Sequence, residues 1–198
     1  MIRSILLLPL LLAACTPEEA ERTLGTPRGT AAGTAGDSLD PNAPEMPSQI
    51  SQADTAWTTD AISVQRDEHA VLIDVREASH DGFDRIVMDF GTGAVPGYRV
   101  QYVRLPVTQC GSGEEVELPG TGFLSVQLQP AAAHNEEGQA TVSQRDRRFE
   151  FPVLLRLVAT CDFEADVTWV AALRTPNPFR VFELESPNRL VIDIRHRM

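Results

Sequence analysis

The sequence contains no lysine. All 17 of its basic residues are arginine, set against 28 aspartates and glutamates, for a net charge of −11. This uniform choice of arginine reads as a GC-rich coding bias. The glycine pair around Ser112 has no lysine after it, so "GSG" is a flexible loop and not a phosphate cradle. No G-x-S-x-G occurs, which removes a serine nucleophile elbow. The four histidines (His69, His80, His134 and His196) lack any paired spacing such as H-x-x-x-H, so no metal site and no cofactor are expected. An acidic chain repels phosphates, which makes nucleic acid a poor partner. After Cys15 no apolar run is long enough for a transmembrane helix.

What is present begins with "MIRSILLLPLLLAAC". Arg3 supplies a positive start, Ile5 to Leu12 a short apolar stretch, and Ala13 and Ala14 small residues before Cys15. This reads as an export signal over residues 1–14. The "LAAC" ending resembles a bacterial lipobox, whose cysteine is diacylated and becomes the new N-terminus. Cys15 is therefore the expected lipidation site, and a lipid anchor places a protein on a membrane surface, not through it. Residues 15–56 are rich in Thr, Ala, Gly, Pro and acids. Before Trp57 they hold no aromatic residue. Such a segment cannot bury enough apolar surface to offset its chain entropy, and it reads as a tether. As a random coil its ends would lie roughly 35 Å apart.

Residues 57–198 are enough for one domain with a core. They carry 21 acids and 14 arginines. Cys110 and Cys161 are a disulfide candidate in an exported domain, the alternative being two separate buried thiols. Strand-like alternation recurs in "GFDRIVMDF" (82–90), "GYRVQYVRL" (97–105) and "FLSVQLQP" (123–130), where Leu124, Val126 and Leu128 form the core face. "AVLIDVREA" (70–78), "FEFPVLLRLVATCDFEA" (149–165) and "VTWVAALR" (167–174) are further apolar runs. Residues 110–122 read as a loop with one short strand at most. Residues 131–148 read as an exposed polar segment with a single helical turn. No long amphipathic helix is found. Turn residues recur at short spacing, and the pattern predicts an antiparallel all-β sandwich.

An internal echo supports it. "RIVMDF" (85–90) and "RLVIDI" (189–194) share one pattern, and "PGYRV" (96–100) resembles "PFRV" (178–181). Alternation puts Arg85, Val87 and Asp89 on one face of the first strand. It puts Arg189, Val191, Asp193 and Arg195 on one face of the second. Together the echoes predict internal pseudo-symmetry.

The closing stretch "RVFELESPNRLVIDI" resembles the hallmark hairpin of the AMIN family. Those are β-sandwich modules that help target cell-envelope proteins and bind peptidoglycan. The wider set "HDGFDRIVMDF", "PGYRVQYV", "GSGEEVELPG", "AAAH", "DFEADVTWVAAL" and "PFRVFELESPNRLVIDIRH" is similar to the AMIN-like domain of bacterial lipoproteins. It covers about 80–196. The resemblance implies the fold and an envelope setting, and it carries over no catalytic or ligand residues. No amidase, pore or second catalytic domain follows in the sequence.

Candidate residues can be weighed one by one. With a loop at Glu185–Asn188, Leu184 faces Arg189, Phe182 faces Val191 and Arg180 faces Asp193. Arg180 and Asp193 then read as a structural pair that pins register, worth about 0.2–1 kcal/mol. A polar patch for a glycan or peptide is the functional alternative, and Arg85 and Asp89 permit the same two readings. A glycosidase needs two acids at a set separation across a cleft, and no signal selects a pair. "HDGFD" brings His80, Asp81 and Asp84 to a turn, read either as polar capping or as a calcium or catalytic site. Tyr98 and Tyr102 share a face, opposite Arg99. They are the ligand-binding candidates if that face is exposed, and half-buried sheet residues if not. Trp57 reads as docking the chain at the tether junction, and Trp169 as core. No catalytic residue is expected. The expectation is a lipid-anchored envelope binding or assembly module. Its membrane is the outer one if the cell has two, because Thr16 is not the aspartate of inner-membrane retention; otherwise it sits on the outer face of the single membrane. Peptidoglycan or an envelope protein is the expected partner. An envelope hydrolase with an unrecognised carboxylate site and an accessory subunit are the alternatives.

Overall fold

The computed structural model describes residues 56–197. The expected export signal, Cys15 and the expected tether up to residue 55 lie outside the described residues. Twelve strands are found among those described. They are β1 (Ile62–Val64), β2 (Ala70–Val71), β3 (Asp74–His80), β4 (Phe83–Asp89), β5 (Tyr98–Tyr102) and β6 (Gly122–Leu128), then β7 (Ala131–Ala132), β8 (Asp146–Arg148), β9 (Leu154–Phe163), β10 (Asp166–Leu173), β11 (Phe179–Leu184) and β12 (Arg189–Arg195). No helix occurs among these residues.

The strands form a β-sandwich. One sheet has six antiparallel strands in the order β1-β5-β6-β10-β9-β8, and the other has four in the order β11-β12-β4-β3. A short parallel pair, β2 with β7, makes a third element. Alternation explains the core. Leu124, Val126 and Leu128 of β6, with Trp169, Ala171 and Leu173 of β10, meet Ile86 and Met88 of β4 and Leu190, Ile192 and Ile194 of β12. These apolar faces leave water together, which is the main force holding the sheets in register.

Several segments differ from the sequence reading. "AVLIDVREA" is two strands. Ala70 and Val71 pair with Ala131 and Ala132, and the chain re-enters a sheet at Asp74 after Ile73 N–H bonds Asp89 O at 2.9 Å. Residues 131–148 contain no helical turn. Ala131 and Ala133 are buried, a turn follows at Asn135–Gly138, and β8 closes the segment. Residues 110–121 hold no strand; Glu115 makes an isolated bridge back to Thr108.

That loop has a structural purpose. Phe123, Val158, Val170 and Ala172 lie on the outer face of the six-stranded sheet. Val103, Val107, Val116 and Leu118 of the strap 103–121 pack over them as a second apolar cluster. The strap is pinned by the Cys110–Cys161 disulfide and by Cys110 N–H on Thr160 O at 2.9 Å. The β9–β10 hairpin turns on Glu164 and Ala165 with φ of 50° and 62°. Two successive positive φ values match the right-handed twist of the strands, here without a glycine.

Candidate functional site

The echo motifs are neighbours in the four-stranded sheet. β4 and β12 run antiparallel, with Arg85 opposite Asp193, Val87 opposite Val191 and Asp89 opposite Arg189. β11 adds Arg180 beside Asp193 and Phe182 beside Val191, as the hairpin pattern predicts. β3 adds Arg76 beside Val87 and His80 beside Phe83. All of these side chains project from the face turned away from the core, because Ile86, Met88, Leu190 and Ile192 take the other.

At the centre Asp193 is fully buried although it lies on this outer face. Arg85 donates from Nε to Oδ1 at 2.6 Å and from Nη2 to Oδ2 at 2.9 Å. Arg180 reaches Oδ2 from the other side through Nε at 2.9 Å and Nη2 at 2.8 Å. The guanidinium groups also lie over rings. Arg180 lies 4.8 Å from the Trp57 centroid and 5.6 Å from those of Phe83 and Phe182. Arg85 lies 5.0 Å from Phe83 and 5.4 Å from Phe182. The exposed Arg195 stands 5.6 Å from Trp57. Each such contact contributes about 0.5–1 kcal/mol at an exposed site and more where water is excluded. Trp57 is held there by two backbone bonds between Thr58 and Phe179, at 2.9 and 2.8 Å. It docks at the tether junction, as the sequence suggests.

Other sequence-named residues fall elsewhere. Tyr98 is buried, its face being that of the core residue Val100. Its hydroxyl donates to Glu183 at 3.1 Å and is pushed up to about 12 by burial first and Glu183 second. Tyr102 is half-buried, bonds Asn177 O at 2.5 Å and is also raised by burial. Neither ring is free to stack on a sugar; the apolar parity they share with Val100 takes them inward. His80 and Asp84 do not meet. His80 stacks on Phe83 at 4.9 Å on the outer face, whereas Asp84 points inward. There Asp84 accepts bonds from Ser79, from the Val153 and Leu154 N–H groups and faces His196 Nε2, all at 2.8 Å. It ties the start of β9 to the small sheet and is a fastener between layers.

Two further charged groups bridge elements. Asp162 meets the Ala133 N–H, His134 and Arg145. Burial works against its charge, but these bonds win and hold its carboxyl below the usual carboxylate range. Glu77 and Arg147 approach to 3.1 Å between the edges of the two sheets. Their alignment is too poor for a hydrogen bond, and the nearby Trp169 indole N–H is also unpartnered among the described residues. Burial raises Glu77 to about 7, against the pull of Arg147. An open cleft of about 720 Å³ lies beside the disulfide. In it Arg156 is paired with Asp146, and Arg145 with Asp162.

Sequence reasoning named Arg180 and Asp193 but assigned Arg85, Arg195, Phe83 and Phe182 to no common site. The signal was present in the shared parity of the two echoes. What was missing was that the echo strands pair with each other.

The fold and this face together define an all-β sandwich module with one decorated sheet surface. Residues 70–196 match the family model of the AMIN-like domain, and the chain belongs to that family. Membership implies association with the cell envelope. Comparisons with curated proteins and with solved structures gave no match.

Proposed function

We propose that the protein is a noncatalytic, lipid-anchored envelope module that docks on peptidoglycan through the outer face of its four-stranded sheet. The observation that carries this reading is the arrangement of Arg85 and Arg180 around buried Asp193, framed by Trp57, Phe83 and Phe182. Glycan recognition uses aromatic faces beside planar polar groups. A side chain already held in place loses little entropy on binding. The lipobox-like "LAAC" and the following tether fit such a role, with Cys15 as the anchor and the outer membrane as its site in a two-membrane cell. The noncatalytic reading rests on the acids. Asp84 and Asp193 are buried and fully engaged, and Glu77 sits between the sheets rather than in an open cleft.

The test is co-sedimentation of the chain from Thr16 onward with isolated sacculi. The protein should pellet with them, and Trp57→Ala should lower the bound fraction severalfold while retaining a cooperative unfolding transition. Absence of pelleting above a control protein overturns the proposal.

A further inference from the structure

The decorated face differs in charge from the domain that carries it. Residues 57–198 hold 21 acids and 14 arginines. The outer face of the four-stranded sheet reverses the balance, with Arg76, Arg85, Arg180, Arg189 and Arg195 against Asp74, Asp89 and Asp193. The charges are also sorted along the strands. Asp74 and Asp89 lie at one end, where Arg76 bridges both at 3.3 and 3.0 Å. At the other end stand three arginines, Arg85, Arg180 and Arg195, and one carboxylate, Asp193, which pairs with the first two.

That carboxylate does not use up the donors. A guanidinium has five N–H groups. Arg85 and Arg180 each spend Nε and Nη2 on Asp193, and Nη1 of both finds no acceptor among the described residues. Arg195 is exposed, and its guanidinium has no acid partner among them. Trp57 lies between Arg180 and Arg195, within 4.8 and 5.6 Å. Stacking on a ring leaves the in-plane N–H edges of a guanidinium free, and a planar carboxylate meets those edges in a fork. Asp193 shows that geometry on this same face, with Arg85 in a two-bond fork.

From this we infer that the Arg85–Arg180–Arg195 end of the face, gripped around Trp57, recognises carboxylate groups of its ligand. Resting on the peptidoglycan reading above, this makes the carboxylates of the peptide stems the contact, with the sugar backbone secondary. Charge complementarity is the reason for choosing them. A neutral sugar can accept hydrogen bonds from arginine but does not use its surplus positive charge, and an acidic domain approaches an anionic polymer most readily where its contact surface is locally positive.

The experiment uses the full chain in detergent and three preparations of sacculi. One is native, one has its carboxylates capped as neutral amides by carbodiimide and glycinamide, and one has been stripped of phosphate polymers with hydrofluoric acid. Capping should lower binding by at least about tenfold, while stripping leaves it unchanged. Arg195→Gln should weaken binding to native sacculi about fivefold and make no difference with capped ones. That comparison also separates binding through this face from attraction of an acidic chain to a sacculus made cationic by capping. High salt should weaken native binding by screening. Binding to capped sacculi as tight and as Arg195-dependent as to native ones overturns the carboxylate inference and leaves peptidoglycan docking standing. Loss of binding after phosphate stripping overturns it in favour of a phosphate polymer. No binding to native sacculi removes the peptidoglycan reading itself, and the inference with it.

Discussion

Arg85 of β4 and Asp193 of β12 stand directly opposite one another and are joined by two hydrogen bonds of 2.6 and 2.9 Å. The same alignment sets Asp89 opposite Arg189, yet that pair is not bridged. Asp89 takes Arg76 instead, and Arg189 donates to Pro187 O at 3.1 Å. The two-fold echo is thus kept in the backbone and broken in the side chains. Arg180 on β11 is what tips it, because the matching position on β3 is Asp74.

Removing the buried acid should be costly. Asp193→Ala leaves Arg85 and Arg180, each about a quarter exposed, without their shared counter-charge. Breaking one side of a buried ion network costs about 3–5 kcal/mol, and the partial exposure of the arginines puts this case at the low end, about 3 kcal/mol. Urea unfolding of the variant against the parent measures it. A loss under about 1 kcal/mol would reduce Asp193 to a surface-type pair.

Acid should strengthen the fold through Glu77. Its carboxyl titrates near 7 in the folded chain and at 4.5 in the reference state, with burial the chief cause and Arg147 and Asp74 the charges that modify it. Between those values the folded state holds more protons than the unfolded one. Stability from this group is therefore fully present below pH 4.5 and declines as pH rises to about 7. Glu77→Gln should flatten that slope in unfolding midpoints taken from pH 4.5 to about 7, the span of the shift. An unaltered slope would assign it to another group. Asp162 acts oppositely and lower down, because its depressed carboxyl loses stabilisation as pH falls through the acid range.

Reduction should loosen the strap. Cys110 and Cys161 are 51 residues apart in sequence, so their bond removes much freedom from the unfolded chain. Paired Cys→Ala substitution should cost about 2–4 kcal/mol. Hydrogen exchange should rise first over residues 103–121, whose apolar contacts with Phe123, Val158 and Val170 depend on the strap lying flat. Uniform exchange in both states would show that the second apolar cluster holds without the bridge.

The β9–β10 turn should be improvable. Glu164 and Ala165 occupy left-handed backbone that favours asparagine and glycine. Replacing the pair by Asn-Gly should raise stability by about 0.5–1 kcal/mol, read from thermal unfolding. No gain would mean that the turn is relaxed as it stands.

Cys15→Ser should move the protein out of the membrane fraction. Membrane association equal to the parent would remove the lipid anchor from the proposed function.

Much of the sandwich was legible because its strands are half-buried. Leu124, Val126 and Leu128 alternate with polar or strap-covered neighbours, and the hairpin register from Leu184–Arg189 to Arg180–Asp193 follows from one turn. The decorated face was half legible. Side-chain parity put Arg85 with Asp89 on one face of the first strand and Asp193 with Arg189 on one face of the second, but which strands pair is decided by long-range packing that a local pattern does not contain. The tyrosines show the same limit. Period two gave Tyr98 and Tyr102 a common side with Val100, and only the second sheet makes that side the interior. Asp84 was misplaced for another reason. A carboxylate at inward parity looks wrong until the unpaired N–H groups of Val153 and Leu154 that it satisfies are known.

Under the proposed anchoring through Cys15, Trp57 and Thr58 are where load would enter the described domain. Tension from an anchored Cys15 would reach the fold at two hydrogen bonds, Thr58 to Phe179, and at one ring laid over Arg180 and Arg195. These would be strained one after another, a peeling geometry, and the first ring to lift is part of the docking face. With the proposed anchor and wall contact in place, such an attachment would behave as a slip bond: the harder the two are drawn apart, the sooner the module would let go, ahead of the disulfide-pinned core.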